Sequence, residues 1–403
     1  MVNSDGQPVK ILHIGKYFPP DPGGMETYLR DLMICSDQQG TRSVALVHHS
    51  RPGIPSSEEI YTLDHVSLEV SRVASWFKVL FTPISPAFPW KLHKLIKQHR
   101  PNILHLHLPN PSAFWVLALP SSRALPWVVQ WQSDVLTPAS SPVLKWFYQL
   151  YKPLETALLK RARRIIATSE PYRLTSPVIQ GFSDKTTVIP LGIADRFDTP
   201  DTPDTPDTQK TVVQSQPRHS ALKVIAVGRL AHYKGLDVLI KAIAESTNAE
   251  LDIVGQGDEA QGLRRLTMTL GLESRVRFHG ALSDAARDAL LLASDCLCLP
   301  STDRTESFGI VLLEAMSAGK ACVVTDVPGS GMTSVVQAGG TGLIVPPGDS
   351  NALASALEKL ATNPDLVAEL GRQGRARFER YFSVTASTAA VRRLYEALVS
   401  EEK

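Results

Sequence analysis

The sequence is poor in cysteine and has no long apolar run. Four cysteines occur in 403 residues, none in C-x-x-C spacing, and three lie in apolar stretches of strand character. We therefore expect buried thiols in a reducing cytoplasm. No apolar run approaches the roughly 20 residues that cross a bilayer, and the opening segment MVNSDGQPVK lacks the apolar core of a signal peptide. These absences predict a cytoplasmic protein.

The sequence also lacks a strong charge of either sign. Its net charge of +2 is too small to indicate nucleic acid as a partner. Apolar residues make up 43% of the chain and charged residues 20%, as in ordinary globular proteins. Because 403 residues exceed the usual size of one hydrophobic core, we expect two domains.

Strand and helix patterns alternate in both halves of the chain. In the first half, helices are predicted at Met25–Ser36 and Leu92–His99, among strands at Ile11–Gly15, Val44–His48, Ile103–His107, Val128–Gln130, Ile165–Thr168 and Thr187–Ile189. The alternation then restarts, with strands predicted at Val224–Val227, Glu250–Val254, Val276–Phe278, Cys296–Leu299, Ala321–Thr325 and Gly342–Val345. Two such series predict two doubly wound α/β sheets.

A three-residue repeat, DTPDTPDTPDT (Asp198–Thr208), separates the two halves. It has no apolar residue and a proline at every third position, so it cannot pack a core, and we expect an extended loop. A docking role and a tolerated loop expansion both fit this composition.

Two glutamates bracket the segment ESFGIVLLE. Glu306 lies in a loop of small and polar residues, and Glu314 lies in the apolar stretch Ile310–Met316, which predicts the first turns of a helix. Gly309 would then stand at the helix N-terminus, where free N–H groups suit an anion or sugar hydroxyls. The simpler alternative is that Glu306 is a loop charge favoured by the helix dipole and that Glu314 is a solvated glutamate on the helix. It is weakened by the apolar neighbours of Glu314, because a carboxylate among them needs a partner.

Two cations follow a predicted strand. Arg229 and Lys234 lie between Val224–Val227 and a helix predicted at Leu236–Ala244, with Gly228 and Gly235 beside them. A guanidinium fork and an ammonium point charge together suit a diphosphate. Ligands of open α/β sheets bind at the carboxyl ends of strands, which favours this interpretation over two solvated loop cations.

These motifs carry a family resemblance. Four motifs follow one another along the chain: R-x4-K, GQGDE (Gly255–Glu259), ESFG with a second glutamate, and GGTGLIVPPGD (Gly339–Asp349). Together they look like the motifs of family 4 of the retaining glycosyltransferases, of the bacterial polysaccharide and lipid-linked glycan type. Tyr17–Leu32 resembles the glycine loop of that family, and Pro101–Pro111 its central strand. The resemblance therefore covers nearly the whole chain.

The resemblance implies the GT-B fold, with two facing Rossmann-like domains. The first, residues 1–196, would bind the acceptor, and the second, residues 221–379, the nucleotide-sugar. Residues 197–220 would form the linker, and residues 380–403 would carry a terminal helix that crosses back to the first domain.

The resemblance also assigns roles to residues. Arg229 and Lys234 would stabilise the diphosphate, Glu306 would orient the sugar, and Glu314 would accept from the ribose hydroxyls. The remaining donor-site residues implied are Gly23, Gly24, Gln132, Gly228, Gly255, Ser307, Phe308 and Gly309.

One position departs from the family pattern. Where the family commonly has a histidine near the 6-hydroxyl of the donor sugar, VVQWQSDVL places Gln132, which can bond to a hydroxyl but carries no charge. His105 and His107 are the nearest alternative histidines, although a strand histidine is more often a core residue.

No two aspartates in the chain are two positions apart. The D-x-D motif that holds a divalent ion in many transferases of the other main fold is therefore missing. We predict no essential metal and no cofactor, since Arg229, Lys234 and helix ends can neutralise the leaving diphosphate.

The predicted reaction is transfer of a hexose with retention, first guess mannose from GDP-mannose and second a UDP-sugar, onto a lipid-linked or oligosaccharide acceptor. Two basic clusters with aromatic residues nearby favour an anionic membrane surface as a further partner, on the inner face of the cytoplasmic membrane. The clusters are Lys91, Lys94, Lys97, Arg100 and Lys160, Arg161, Arg163, Arg164, and the aromatics are Trp76, Phe77, Phe81, Phe88 and Trp90. A solvated basic face over an ordinary core is the alternative.

Other classes of protein fit less well. A nucleotide-sugar epimerase of the same fold would release sugar without an acceptor, and a non-catalytic sugar-binding protein would not need both glutamates and both cations. A nicotinamide or flavin oxidoreductase is disfavoured. The glycine that follows Gly255 and Gly257 is Gly262, which lies too far along the chain to complete a G-x-G-x-x-G motif.

Overall fold

The chain divides into two compact units, the first formed by Met1–Ala194 with Val384–Lys403 and the second by Asp195–Ser383. The computed structural model describes residues 7–21, 23–63, 65–79, 82–135, 142–197 and 221–401, with only the backbone at 79, 82 and 142–145. The DTP repeat and nearly all of the predicted linker therefore lie outside the described residues.

The first unit is built on an eight-stranded sheet. Its strands are β1 (Lys10–Ile14), β2 (Arg42–His48), β3 (Ser57–Leu63), β4 (Val66–Val73), β7 (Ile103–Leu108), β8 (Trp127–Trp131), β9 (Arg164–Ala167) and β10 (Thr186–Val188), while β5 (Phe77–Val79) and β6 (Thr82–Ile84) form a separate hairpin. The order is β10-β9-β8-β7-β1-β2-β4-β3, and β3 pairs antiparallel with β4. The other neighbours are parallel.

Helices cover both faces of this sheet. They are α1 (Gly24–Gln38), α2 (Phe88–His99), α3 (Trp115–Ala118), α4 (Pro120–Arg123), α5 (Pro142–Arg161) and α6 (Glu170–Thr175). Along β2, Leu46 belongs to one apolar cluster and Ala45 and Val47 to the other, because successive strand residues point to opposite faces. Burial on both faces explains the nearly continuous apolar runs of the central strands.

The second unit has a six-stranded parallel sheet in the order β13-β12-β11-β14-β15-β16. Its strands are β11 (Leu222–Val227), β12 (Ala249–Val254), β13 (Val276–Gly280), β14 (Cys296–Leu299), β15 (Ala321–Thr325) and β16 (Gly342–Val345). Its helices are α7 (Leu236–Glu245), α8 (Ala260–Thr269), α9 (Asp284–Ala293), α10 (Ile310–Ser317), α11 (Met332–Val335), α12 (Ser350–Ala361) and α13 (Pro364–Arg377).

The last helix, α14 (Val384–Glu401), belongs to the first unit. It packs against α1, and Val384 N donates to Ile193 O across 2.8 Å. Deeper in the unit, the Tyr395 hydroxyl lies 2.5 Å from Nδ1 of His105 on β7. The first unit is thus assembled from two separate stretches of chain.

The predicted α/β class with two doubly wound sheets is confirmed, and the predicted strands match observed ones. Sequence analysis missed β3 and β4 of the sheet and the hairpin strands β5 and β6. β3 is a half-exposed edge strand with two adjacent glutamates, Glu58 and Glu59, so it has little of the apolar run that marks the buried strands.

Candidate functional site

The predicted cation loop follows β11 at the carboxyl edge of the second sheet. A methyl group on Gly255 would lie 1.8 Å from the Gly228 carbonyl oxygen, so the two chain segments touch backbone to backbone. Both glycines have positive φ, 147° at Gly228 and 140° at Gly255. Together they hold the loops after β11 and β12 at a separation that no side chain permits.

Lys234 and Glu306 are in direct contact. Lys234 Nζ lies 2.5 Å from Glu306 Oε2, and the Ser301 hydroxyl donates to the same oxygen at 3.4 Å. Both side chains are largely buried, at 13% and 11% exposed. Burial lowers the pKa of Lys234, but Glu306 and Tyr233 together raise it by more, and the net pKa is raised. Lys234 is therefore a cation at neutral pH, and the two predicted site residues form one charged pair.

Arg229 lies beside this pair. Its guanidinium carbon is 5.8 Å from the centre of the Tyr233 ring, and Lys234 Nζ is 5.6 Å from the same centre. Because β11 and β14 are neighbouring parallel strands, the loops that follow them emerge side by side. Thr302 N, after β14, donates to Tyr233 O at 2.8 Å and ties the two loops together.

The ESFG segment is fixed by its backbone. The Ser330 hydroxyl donates to Glu306 O at 2.5 Å, and Gly331 N donates to Ser307 O at 2.8 Å. Gly309 has a φ of 83° and precedes α10, which begins at Ile310. The predicted helix start is confirmed, and the N–H groups of its first turn are the kind that bind an anion. Phe308 is buried and packs near Phe382, so only its backbone is suited to a ligand.

Glu314 already has partners in this structure. Its Oε1 lies 3.1 Å from Arg196 and 3.6 Å from Arg287, and Asp288 lies 3.2 Å from the same Arg196. Burial raises the pKa of Glu314, and the two arginines oppose that rise. The expectation that a carboxylate in this apolar stretch needs a partner is confirmed. Sequence analysis missed both arginines, which lie on other elements and carry no motif.

The predicted glycine loop of the first unit leads into α1. Gly23 precedes the helix and Gly24 begins it. A methyl group on Gly23 would lie 2.1 Å from a carboxylate oxygen of Glu26, which is buried. Burial raises the pKa of Glu26, and the rise is only partly opposed by a backbone hydrogen bond and by the nearby Lys16. Lys16 follows Gly15, the first residue after β1. Sequence analysis did not identify this cation.

Gln132 is buried at the carboxyl end of β8. Its backbone N–H donates to Leu108 O at 3.1 Å, while its side-chain amide nitrogen has no hydrogen-bond partner among the described residues. An unbonded buried amide is costly, so this nitrogen is suited to a ligand hydroxyl.

His105 and His107 are core residues, as expected for strand histidines. His107 Nε2 lies 3.2 Å from His13 Nδ1, and burial lowers the pKa of all three imidazoles, to about 3 for His107. One nitrogen from each lies within 4.8 Å of the others, a spacing that a metal ion could use. His13 and His107 bond to each other and His105 bonds to Tyr395, whereas one ring nitrogen of each histidine has no hydrogen-bond partner among the described residues.

The predicted membrane-facing clusters are partly wrong. Phe88 is fully buried, and Lys91 is buried and bound to Glu58, because α2 packs against the sheet through that face. Arg163 and Arg164 are paired with Glu401 at 2.9 and 2.6 Å. Exposed aromatics remain at Trp76, Phe77 and Trp90, while Phe81 lies outside the described residues. Within the described part of the chain, no helix has the length and apolar character needed to cross a membrane.

Two family models match the chain. "Glycosyl transferase 4-like domain" matches residues 23–192 and "Glycosyl transferases group 1" residues 207–377. An O-antigen chain mannosyltransferase C of Escherichia coli is 29% identical over 98% of this chain and 100% of its own. A D-rhamnosyltransferase of Pseudomonas aeruginosa is 28% identical over 93% and 92%. A phosphatidyl-myo-inositol mannosyltransferase of Mycobacterium tuberculosis is 31% identical over 78% of each chain.

Solved structures share the fold. A sucrose-phosphate synthase of Thermosynechococcus elongatus superposes with a TM-score of 0.75 at 23% identity, over 98% of this chain and 100% of its own. The Anabaena protein HepE, in complex with UDP, gives a TM-score of 0.70 at 22% identity over 96% and 100%. With its two doubly wound sheets, its cation loop and its matching relatives, the chain belongs to the family 4, or group 1, glycosyltransferases of the GT-B fold and is a glycosyltransferase.

Proposed function

We propose that this enzyme transfers a hexose, with mannose from GDP-mannose as the first candidate, to a lipid-linked glycan with retention of configuration. The contact between Lys234 and Glu306 carries the proposal, since a cation is suited to a diphosphate and the carboxylate beside it is suited to sugar hydroxyls. Two of the three relatives named above are mannosyltransferases, and one of these has a lipid acceptor in its name.

The proposed chemistry is a front-face displacement. The bond from the anomeric carbon to the diphosphate oxygen breaks as the bond to the acceptor oxygen forms on the same face. The acceptor proton passes to the departing diphosphate oxygen. Arg229 and Lys234 stabilise the charge that grows there, which is the point at which a fixed cation lowers the barrier.

Glu306 has the second role. Its carboxylate, held by Lys234 and by Ser301, accepts hydrogen bonds from sugar hydroxyls and orients the ring beside the N-terminus of α10. Gln132 would contribute an uncharged amide to a donor hydroxyl. These roles need no metal and no cofactor, and the enzyme would work at the inner face of the cytoplasmic membrane.

A UDP-sugar is the second candidate donor, supported by the UDP bound in HepE. A D-rhamnosyl donor is a variant of the first, supported by the Pseudomonas relative. A thermal-shift screen against GDP, UDP and ADP, each with its sugars, separates them: the cognate nucleotide raises the melting temperature and the others do not. No shift with any nucleotide would contradict the proposal.

The product of an α-linked donor should be α-linked, and excess EDTA should leave the rate unchanged. Proton NMR of the anomeric signal during turnover tests the first point, and an EDTA titration with added Mg²⁺ as the control tests the second. A β-linked product would exclude retention, and loss of rate restored by Mg²⁺ would exclude the metal-free route. Sugar release without acceptor would instead indicate an epimerase.

Glu314→Gln should weaken nucleotide binding by roughly 10- to 150-fold, because a charged hydrogen bond to the ribose is worth roughly 1.5–3 kcal/mol. Turnover at saturating donor should change much less. Calorimetric titration of the nucleotide measures the first and steady-state kinetics the second. Glu273→Gln, an exposed glutamate of the same unit, is the control. Unchanged affinity would leave Glu314 as a structural partner of Arg196 and Arg287 only.

A further inference from the structure

Three buried histidines meet in the core of the first unit, where the sheet packs against helices α1 and α14. His105 and His107 are two positions apart on β7, so both point to the same face of the sheet, and His13 on β1 is the register partner of His105. The ring centres of His105 and His107 are 4.4 Å apart, and those of His13 and His105 are 5.2 Å apart. The proposed chemistry gives none of these three side chains a role.

Hydrogen bonds within the protein leave this histidine cluster incompletely satisfied. His13 Nδ1 faces His107 Nε2 at 3.2 Å, and burial lowers the pKa of both rings, so both are uncharged. A neutral imidazole carries one N–H, so only one of the two rings can donate to the other. Among the described residues, His13 Nε2, His105 Nε2 and His107 Nδ1 have no partner. Gln130 on β8, the buried register partner of His107, has an unbonded side-chain amide as well. So many unbonded polar atoms in one core indicate a bound group.

The ring nitrogens indicate which kind of group this is. Neutral imidazole is a preferred ligand of late first-row transition metals, and zinc takes three histidines with a fourth position for water. Two nitrogens at about 2.0–2.1 Å from a tetrahedral ion lie roughly 3.4 Å apart, close to the 3.2 Å between the facing nitrogens of His13 and His107. Mg²⁺ and Ca²⁺ prefer oxygen ligands and match the cluster poorly. Ordered water can bond to any set of buried polar groups, whereas three convergent imidazoles match an ion specifically.

Tyr395 supplies the kind of supporting contact that metal-binding histidines have. Its hydroxyl lies 2.5 Å from His105 Nδ1, and burial raises the pKa of Tyr395 well above its ordinary value, so the hydroxyl stays protonated. If Nδ1–H donates to this oxygen, the orientation of His105 is fixed and Nε2 is left for an ion. Gln130 lies opposite His107 in the sheet register and offers it an unbonded amide oxygen.

We propose that His13, His105 and His107 bind one late transition-metal ion, with Zn²⁺ as the expected occupant. One nitrogen from each ring already lies within 4.8 Å of the other two. The ion would link β1 to β7 and, through Tyr395, to the last helix, so its role would be structural. None of the residues assigned to the diphosphate or to the sugar belongs to the cluster. The inference is therefore independent of the proposed function and compatible with metal-free transfer.

Metal analysis of the full-length protein, purified without a histidine tag, tests the proposal. Because the cluster is buried, the ion has to enter during folding, so the protein is made in cells grown with added Zn²⁺ or Co²⁺. The wild type should retain one equivalent of either ion, and Co²⁺ should give the strong visible absorption of a four-coordinate site. Protein loaded with Zn²⁺ should melt at a higher temperature than protein from metal-depleted cells.

A variant of the cluster and a matched control locate the ion. His107→Gln should retain less than about a tenth as much ion as the wild type, because loss of even a supporting partner of a ligand costs tenfold or more in affinity. His93→Gln removes a half-buried histidine of α2 in the same unit and should retain ion as the wild type does. Equal metal content in the wild type and in His107→Gln would place the ion elsewhere and overturn the proposal.

Other outcomes also decide the question. Wild-type protein without bound metal overturns the proposal and leaves ordered water as the partner of these nitrogens. If His107→Gln does not fold, as judged by circular dichroism, X-ray absorption of the zinc-loaded wild type replaces it. Imidazole nitrogens at about 2.0–2.1 Å are then expected, and sulfur or oxygen ligands alone overturn the proposal. Metal binding without any nucleotide-induced thermal shift would contradict the proposed function alone, and the reverse result would contradict the metal site alone.

Discussion

Replacing Lys234 with alanine is expected to lower turnover about a hundredfold, because one fixed charge at a developing anion is worth roughly 3–4 kcal/mol at most. The loss should appear in kcat at saturating donor, since the diphosphate charge grows in the transition state. Initial rates with purified enzyme at saturating nucleotide-sugar give the measurement.

The structure adds a consequence for stability. The Glu306 carboxylate is largely buried and loses its cation in Lys234→Ala, so we expect a cost of about 1–3 kcal/mol and a lower melting temperature. Lys241→Ala is the matched control, because Lys241 is a half-exposed partner of Asp237 on the adjacent helix α7. Near-normal turnover in Lys234→Ala would remove the diphosphate role of the loop.

Glu306→Gln should also reduce kcat about a hundredfold while nucleotide affinity changes little. The amide keeps the size of the side chain but lacks the charge that faces Lys234 and accepts sugar hydroxyls. Separate measurement of kcat and of nucleotide dissociation distinguishes this role from a general loss of the site, and Glu273→Gln is again the control.

Because the two side chains touch, their effects should not multiply. The double variant Lys234→Ala, Glu306→Gln should lose less than the product of the single losses, since each single change already removes the same contact. Fully independent effects would mean that the pair is not one functional unit. If both single variants bind nucleotide and turn over normally, the site lies elsewhere.

Much of this site follows from local sequence. The start of α10 after Gly309, the cation loop after β11 and the alternation of strands depend on neighbours within a few residues, and each is found as predicted. Local patterns also indicated that Glu314 required a partner.

What local patterns could not supply was the identity of long-range neighbours. Arg196 and Arg287 meet Glu314 only through tertiary folding, and Lys91 turns inward because Glu58 on the edge strand β3 lies opposite. Because the contact between Lys91 and Glu58 cannot be inferred from sequence, the basic residues of α2 were predicted to form an exposed surface.

The split composition of the first unit has a consequence for biosynthesis. Its sheet and six of its helices are translated first, but α14, with the hydroxyl of Tyr395 that meets His105, arrives only at the end of the chain. The second unit, Asp195–Ser383, is one continuous stretch. During synthesis, residues 195–383 can therefore complete their fold before the first unit does. Until α14 is made, the surface of α1 that it covers stays exposed.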